Sequence, residues 1–346
     1  MAVAVLAVSC AKIDDAPAGA LSDEPMSFSS YASRTVSRAD ADVVTGTVLP
    51  DNSSFGVFAY YQQGVVGSST AHWSDGGWTP SFMFNQEVEF DGSEYSYSPL
   101  RYWPANSENT ISFWAYYPYG AYNTSNTGQL KFYESDGTTA FSNTSTGLPL
   151  VKYTVPTDPA DQCDILFDSF ASQDMTYESC ATPGTVPLTF RHALCLVDLM
   201  IVEGTGATIN SLSFGDIYWS ATCTDPSSRT WSSHADAGSF TLSSVEIDGT
   251  RICTFLVMPQ TISASAELSI NYDISFESSD PSHPAPIIYH GNVGSALLRS
   301  AGINEWTAGQ HYVYKIRAGF ERIEFEEVVE AGEDWSIGND NISVPE

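Results

Sequence analysis

The first residue whose type and position suggest chemistry is Cys10. Nine apolar or small residues precede it, and a polar, acidic stretch follows it. An apolar run, small residues and a cysteine make up the signal by which bacteria attach acyl chains to a cysteine thiol. We therefore expect residues 1–10 to be the remnant of a lipoprotein signal and Cys10 to carry the lipid. The alternative is an ordinary apolar N-terminus in which the cysteine occurs by chance.

Arg34 and Arg38 are candidates for protease processing. They are the only basic residues between Lys12 and Arg101, and they lie in a polar segment of small side chains. Exposed segments of this composition are preferred sites of proteolysis. A cut there would separate the strand-like stretch Met26–Tyr31 from the rest of the chain. The exposed sheet edge could then accept an extended segment of another subunit by β-strand addition. A flexible linker explains the same residues equally well.

Motifs for catalysis and metal binding are missing from the sequence. The six histidines include no pair with i, i+4 spacing, and the serines form no G-x-S-x-G elbow. Carboxylates are so abundant that pairs of them arise by chance. We expect His192 to be structural, with its ring N–H bonded to the backbone. The sequence therefore predicts no catalytic residue, no metal site, no cofactor and no enzymatic activity.

The cysteines other than Cys10 indicate neither a metal site nor a disulfide framework. Five remain, an odd number that cannot pair completely within the chain, and none has metal-ligand spacing. They are Cys163, Cys180, Cys195, Cys223 and Cys253. We expect buried, reduced thiols. Cys163 with Cys180 is the pairing that a disulfide would use.

The charge of the chain excludes one class of partner. Its 42 acidic and 13 basic residues give a net charge of −29. Nucleic acid binding needs clustered lysine and arginine, so we expect no nucleic acid partner. Lysine is also scarce, which removes the charged pairs that stabilise helices and disfavours an α-rich fold.

Beyond residue 40 the pattern is almost entirely that of short β-strands. Runs of four to nine β-branched and aromatic residues are bounded by Gly, Pro, Asn or Asp, and many alternate with period two. We predict an all-β fold of two tandem β-sandwich domains with Greek-key-type antiparallel sheets. One helical turn is expected at Gly294–Arg299. The predicted divisions are a signal remnant at 1–10, a tether with a protease-sensitive strand at 11–40, an N-terminal sandwich at 41–183 and a C-terminal sandwich at 184–346.

Aromatic residues are concentrated in the N-terminal half. They are Trp73, Trp78, Trp103, Trp114, Tyr116, Tyr117 and Tyr119. Aromatic rings can stack on sugars, which would suit a glycan binder, but strand aromatics also fill sandwich cores. Trp114 and Tyr116 share one face of their strand, and Phe113 and Ala115 share the other. Because both faces are apolar, we favour core and inter-domain packing.

Six short stretches, in their order and spacing, resemble the fimbrillin family, the type V pilins and fimbrillin-like lipoproteins of Bacteroidales. They are Phe55–Tyr60, Arg101–Pro104, Ile111–Pro118, Leu188–Leu194, Val257–Thr261 and Trp306–Tyr314. The resemblance implies transthyretin-like sandwiches and export as a lipoprotein. It also implies removal of an N-terminal segment by an arginine-specific protease, at Arg34 or Arg38, followed by polymerisation through strand exchange.

The resemblance also implies a role for the C-terminus, because the last residues of stalk subunits serve as the donor strand. The candidates in this chain are Ile323, Phe325, Val328 and Val329, whereas the tail beyond them is polar. The expected protein is a structural and adhesive pilus subunit at the outer membrane surface. Its partners would be other pilin subunits, the outer membrane through the lipid before processing, and a host or bacterial surface ligand. The alternative is a monomeric surface lipoprotein that binds glycan or a host ligand through its aromatics.

Overall fold

The structure is a computed structural model in which strands dominate. It describes residues 20–32, 48–64, 77–106, 108–121, 130–202, 206–243, 251–277, 282, 285–319 and 322–330. Within these ranges there is no α-helix, only short 3₁₀ segments such as Pro159–Asp161 and Leu298–Ala301. The predicted all-β fold is confirmed. Cys10, Arg34 and Arg38 lie outside the described residues.

Twenty-one strands are described, numbered here in chain order. They are β1 Ala20–Pro25, β2 Ser27–Ala32, β3 Ser53–Gln62, β4 Met83–Phe90, β5 Tyr95–Ser96, β6 Tyr102–Pro104, β7 Thr110–Tyr117, β8 Lys131–Tyr133, β9 Leu150–Thr154, β10 Leu166–Asp168, β11 Thr185–His192, β12 Cys195–Ile201, β13 Ala207–Asp225, β14 Thr230–Ser243, β15 Arg251–Val257, β16 Gln260–Thr261, β17 Glu267–Phe276, β18 Ile287–Leu297, β19 Glu305–Trp306, β20 His311–Ala318 and β21 Ile323–Glu330.

Three larger sheets organise these strands. A seven-stranded sheet has the order β2-β11-β10-β7-β3-β4-β5. A four-stranded sheet has the order β15-β12-β20-β21, and a six-stranded sheet runs β18-β17-β13-β9-β8 with β14 on the other side of β13. Most pairings are antiparallel, as predicted. Two are parallel, β2 with β11 and β12 with β20, which the prediction of antiparallel sheets did not include.

Strand β7 shows how the core is built around the seven-stranded sheet. All eight of its residues are buried, so both faces of the sheet are covered at this strand. Phe113 and Ala115 belong to one apolar cluster, together with Phe28 and Phe55. Trp114 and Tyr116 belong to a second, larger cluster that extends to the other two sheets. The predicted division of β7 into two apolar faces is confirmed.

Strands on the two sides of residue 184, the predicted start of the second sandwich, pair with one another. Val186 lies in β11, which pairs with β10 and β2 inside the seven-stranded sheet. Strands β8 and β9 precede this point in the chain, yet β9 pairs with β13 in the six-stranded sheet. A strand from one half of the sequence pairs here with strands from the other half. The pattern of neighbouring residues does not reveal such long-range pairing.

Two smaller expectations have clear outcomes. The helical turn predicted at Gly294–Arg299 is wrong for its first residues, which continue β18 to Leu297, and the 3₁₀ segment begins at Leu298. The expected burial is found for four of the five described cysteines. No disulfide joins the described cysteines; Cys163 is half-buried, and Cys180, Cys195, Cys223 and Cys253 are buried.

Candidate functional site

The candidate site is the edge of the seven-stranded sheet that β2 occupies. The strand runs parallel to β11, in register from Ser27 beside Thr185 to Ala32 beside Phe190. Phe28 and Ala32 are buried, whereas the side chain of Tyr31 is 52% exposed. The alternation read from the sequence therefore places one face of β2 in the core and the other in solvent.

Phe28 is the anchor of β2 in the core. Its ring makes edge-to-face contacts with Phe55, Tyr97 and Phe113, at centroid distances of 6.2, 5.5 and 6.1 Å. Contacts of this geometry stabilise aromatic clusters beyond the effect of buried area. Met26, the residue before the strand, is also buried and only 1% exposed. Burying two such side chains contributes about 1.5–3 kcal/mol each.

Polar groups fix the start of the strand. The Met26 N–H donates to the Arg101 carbonyl at 2.8 Å, and the Tyr97 hydroxyl donates to the Met26 carbonyl at 3.0 Å. The Ser27 N–H donates to the Gly184 carbonyl at 3.2 Å. These bonds set the register of β2 before its pairing with β11 begins.

A hydroxyl pair joins the two ends of the seven-stranded sheet. Ser30 in β2 and Tyr95 in β5, the strands at opposite ends of the sheet order, hydrogen bond through their hydroxyls at 2.6 Å. Tyr95 also contacts Phe55, at a centroid distance of 5.9 Å. We call the space that β2 fills the β2 groove; it is lined by Phe55, Tyr95, Tyr97, Phe113 and the edge of β11.

The predicted processing sites follow β2 directly in the chain. The strand ends at Ala32, and Arg34 and Arg38 fall in the range 33–47, outside the described residues. The chain re-enters the structure at Val48 and begins β3 at Ser53. A cut after either arginine would therefore leave β1 and β2 joined to the body by non-covalent contacts alone.

The predicted donor residues lie in β21, at the edge of the four-stranded sheet. Ile323 is 3% exposed and packs in the larger core cluster, and Phe325 contacts the ring of Tyr314 at 5.4 Å. Val328 and Val329 pair with β20 through the backbone. Donation by these residues stays a prediction. It would require β21 to leave its place beside β20.

The aromatic residues proposed for glycan stacking belong to the core where the structure describes them. Trp103, Trp114, Tyr116 and Tyr117 are buried. Trp78 and Tyr119 are partly buried and pack against the larger cluster. Trp73 lies outside the described residues. The predicted core role is confirmed for the described members of this group.

Buried histidines pair with carboxylates, not with the backbone. The Nδ1 atom of His192 lies 2.7 Å from Oδ2 of Asp164, and both side chains are fully buried. The Nε2 atom of His311 lies 3.0 Å from Oδ2 of Asp198. The other carboxylate oxygen, Oδ1, accepts a hydrogen bond from the Thr254 hydroxyl. The expectation of a backbone partner for the His192 ring N–H was wrong, although its structural placement in the core fits the prediction.

A third buried carboxylate caps the turn after β10. Asp168 accepts hydrogen bonds from the N–H groups of Thr189 and Phe170, at 2.7 and 3.0 Å. Burial raises the pKa of its carboxyl to about 7, against the lowering effect of these hydrogen bonds. Its partners are main-chain N–H groups of the turn and of β11, so the side chain holds the turn against the neighbouring strand.

The described residues contain neither a metal-binding cluster nor a helix that could span a membrane. No group of three or more His, Cys, Asp and Glu side chains is arranged to hold a metal ion there. No helix in the described part of the chain has the length and apolar character needed to cross a membrane.

Sequence reasoning found β2 but missed the residues that hold it. Tyr95, Tyr97 and Arg101 come from a segment that reads as a polar loop, and Gly184 from a break between strands. One local signal was present: Tyr95 and Tyr97 alternate in Tyr-Ser-Tyr, the period of a strand with one buried face. The contacts of Tyr97 with Phe28 and of Tyr95 with Ser30 join residues more than 60 positions apart in the chain, and no local pattern reveals them.

Comparisons with known proteins agree with this architecture. The sequence profile of the family described as "Fimbrillin-like" matches residues 38–331. The fimbrium subunit Fim1C of Phocaeicola vulgatus is 32% identical over 155 residues, which are 43% of this chain and 37% of that protein. The match thus spans little more than a third of the relative.

Solved structures show the same fold. A fimbrial protein from Bacteroides vulgatus superimposes with a TM-score of 0.60 at 22% identity, over 81% of this chain and 92% of that one. A Bacteroides uniformis protein described as a cell adhesion protein gives a TM-score of 0.50 at 16% identity, over 90% and 98% of the two chains. Because the family profile covers most of the sequence, the chain belongs to the fimbrillin-like family.

Proposed function

We propose that this protein is a fimbrial subunit that is activated by proteolysis and assembled by strand exchange. A protease cuts after Arg34 or Arg38, β1 and β2 leave, and an extended segment of another pilin subunit enters the β2 groove. Lipidation at Cys10 holds the precursor at the outer membrane until that cut. Adhesion to a host or bacterial surface is the expected role of the assembled fimbria.

The observation that carries the proposal is the position of β2 in both chain and sheet. It is an edge strand, so it can leave without passing through other strands. Both candidate arginines follow its last residue within six positions. Its loss would uncover the ring cluster around Phe55 and Phe113 together with one edge of β11, an apolar and hydrogen-bonding surface suited to β-strand addition.

The segment that enters the β2 groove is less well determined than the strand that leaves it. Ile323, Phe325, Val328 and Val329 remain the proposed donor residues, and β21 would exchange its pairing with β20 for pairing with β11 of another copy. The large buried area of Ile323 and the pairing along β21 oppose this release. A donor from a different pilin subunit avoids that cost and gives a hetero-polymer.

The test is limited trypsin digestion of the purified chain. We expect cleavage at Arg34 or Arg38, release of the N-terminal fragment, and ladders that resist SDS without boiling. Arg34→Ala combined with Arg38→Ala should abolish both cleavage and ladders. Lys131→Ala is the matched control, because Lys131 is also a residue that trypsin recognises and it lies in β8, at an end of the six-stranded sheet away from β2 and β21 in the strand order.

Two results would contradict the proposal. Ladders in the double arginine variant would show that processing there is not required. A clipped protein that stays monomeric and binds a glycan array would instead support a monomeric ligand-binding lipoprotein.

A further inference from the structure

The outer edge of β18 is unusual among the ends of the three larger sheets. Free strand edges invite pairing with other chains, and proteins usually protect them with charges, bulges, short strands or a cover. Each of the other ends in the described part of the chain has such a protection. The edge of β18 has far less.

The seven-stranded and four-stranded sheets illustrate the protected case. The ends β2 and β5 are joined through Ser30 and Tyr95. The side chain of Gln162 covers β15, accepting from the Leu256 N–H at 2.6 Å and donating to the Leu256 carbonyl at 3.1 Å. The last strand, β21, carries four glutamates in eight residues.

The six-stranded sheet has two more protected ends. Strand β8 is only three residues long. Strand β14 is interrupted by three irregularities in its pairing with β13, and Ser233 and Asp236 adopt positive φ values there. Bulges of this kind bend an edge away from flat pairing.

Strand β18 differs in length, charge and exposure. Its eleven residues include no Asp, Glu, Lys, Arg or Pro, in a chain with 42 acidic residues. It pairs with β17 on one side, and among the described residues no strand pairs with its other side. One bulge interrupts it at His290 and Gly291, where Gly291 has a φ of 71° and its N–H donates to Asp273. The regular edge is therefore 292–297.

The side chains of this regular edge are self-complementary. Val293 and Leu297 point to solvent and are 66% and 46% exposed. Ser295, exposed between them, is the centre of the sequence Val-Gly-Ser-Ala-Leu. If two copies pair antiparallel about Ser295, Val293 of one copy lies opposite Leu297 of the other, and the small residues Gly294 and Ala296 also face each other.

A two-fold contact places identical residues near the axis, so charged edges repel one another there. The uncharged edge of β18 avoids this repulsion. Two neighbouring strands carry charges. In β17, Glu267 lies opposite Leu297 and accepts a hydrogen bond from Ser269, and Asp273 accepts from Gly291 at the bulge. Strand β21 also comes close, since a Cβ at Gly294 would lie 2.8 Å from Ile323 Cγ2. The glutamates described there are matched by cations: Glu324 pairs with Arg322 at 2.7 Å, and Glu326 pairs with Arg317.

We propose that two copies of this chain associate through antiparallel pairing of residues 293–297 of β18, with the two-fold axis at Ser295. The pairing joins two six-stranded sheets into one continuous sheet. It involves neither β2 nor Arg34 and Arg38, so it forms in the uncleaved chain. It is a lateral contact, separate from strand exchange.

The test measures the oligomeric state of the full, uncleaved chain by sedimentation equilibrium. We expect a monomer–dimer equilibrium. Ser295→Glu places two carboxylates opposite each other on the axis and should raise the dissociation constant at least tenfold, about 1.4 kcal/mol. Ser29→Glu is the matched control, because Ser29 is an exposed serine on β2, which the contact leaves untouched.

A cysteine variant tests the register directly and does not depend on the charge substitution folding. Ser295→Cys should form a disulfide-linked dimer under mild oxidation, since residues opposite each other have Cβ atoms about 4.5–5.5 Å apart. Ser29→Cys should not. A monomer at all concentrations, an unchanged dimer in Ser295→Glu, or no cross-link in Ser295→Cys would overturn the proposal. None of these results depends on proteolysis, so the proposed fimbrial function is tested separately.

Discussion

Asp168 shows how a single buried carboxyl can couple the seven-stranded sheet to pH. It ends β10, and its partners are the N–H groups of Thr189 in β11 and Phe170 in the following turn. Its pKa is raised to about 7 because burial disfavours the charged form. In the unfolded chain the same carboxyl has a pKa near 3.9.

The sign of the pH effect follows from these two values. Between about pH 4 and pH 7 the unfolded chain has lost this proton while the folded protein keeps it, so raising the pH favours unfolding. This carboxyl lowers the free energy of unfolding by about 1.4 kcal/mol per pH unit in that window. Asp168→Asn, which cannot ionise, should flatten the slope. Denaturant unfolding of both proteins at several pH values measures it.

The carboxyl of Asp136 affects the free energy of unfolding in a different pH range, so it does not interfere with the measurement on Asp168. Hydrogen bonds from Thr139 and Thr138 lower the pKa of the exposed Asp136 to about 2. Its contribution is present above its unfolded pKa and is lost only as the pH falls below about 4. If the free energy of unfolding has the same pH dependence in the unsubstituted protein and in Asp168→Asn between pH 4 and 7, Asp168 is not the group responsible.

Among the elements, β2 is the one on which the proposed function depends, and Phe28 is its main apolar contact. Phe28→Ala removes a ring that contacts three others, a change that costs about 3–5 kcal/mol in well-packed cores. We expect faster hydrogen exchange throughout β2, while the exchange of β7 changes less. Tyr31→Ala is the control, because Tyr31 is an exposed aromatic on the same strand. Equal exchange in both variants would mean that Phe28 does not hold the strand.

The sequence predicted individual strands well and their partners poorly. Met26–Tyr31 was expected and Ser27–Ala32 is found. The strand expected to contain Phe113 to Tyr116 is found as Thr110–Tyr117. Aromatic and β-branched runs of this kind are a local signal. Strands β13 and β14 were not predicted. They are rich in Ser, Thr, Asp and Gly, and their bulges, as at Asp216, break the alternation.

The candidate site was predicted only in part for the same reason. The sequence alone shows that Arg34 and Arg38 follow a strand. The parallel pairing of β2 with β11 joins residues about 158 positions apart, and no local pattern encodes such a pairing. The hydroxyl contact between Ser30 and Tyr95 depends on how the whole sheet curves, which only the folded structure gives.

At the scale of the whole molecule, the larger apolar cluster unites the three sheets. It contains Trp114 from the seven-stranded sheet, Phe255 from the four-stranded sheet and Phe214 from the six-stranded sheet. The rings of Phe214 and Phe255 are 4.9 Å apart. Because the three sheets share one core, unfolding one sheet alone would expose apolar surface of the others to water. Such independent unfolding is therefore costly.

We therefore expect one cooperative unfolding transition for the chain. Calorimetry should give a single peak, and Trp114→Ala should shift the whole peak to lower temperature. Ser81→Ala, at an exposed residue outside the strands, should leave it in place. Two separate peaks, with only one displaced by Trp114→Ala, would show instead that parts of the chain unfold independently.

The buried face of β2 shows which side-chain sizes the β2 groove accepts at successive positions; we call this pattern the size code. Reading along the strand, the groove accepts a large ring at Phe28, a hydroxyl at Ser30 and a methyl-sized side chain at Ala32. A slip by one residue would direct Tyr31 toward a space shaped for a small group. A substitute strand must therefore present ring, hydroxyl and methyl at alternate positions. In β21 the alternate residues are Phe325, Glu327 and Val329, which match the code at the ring alone.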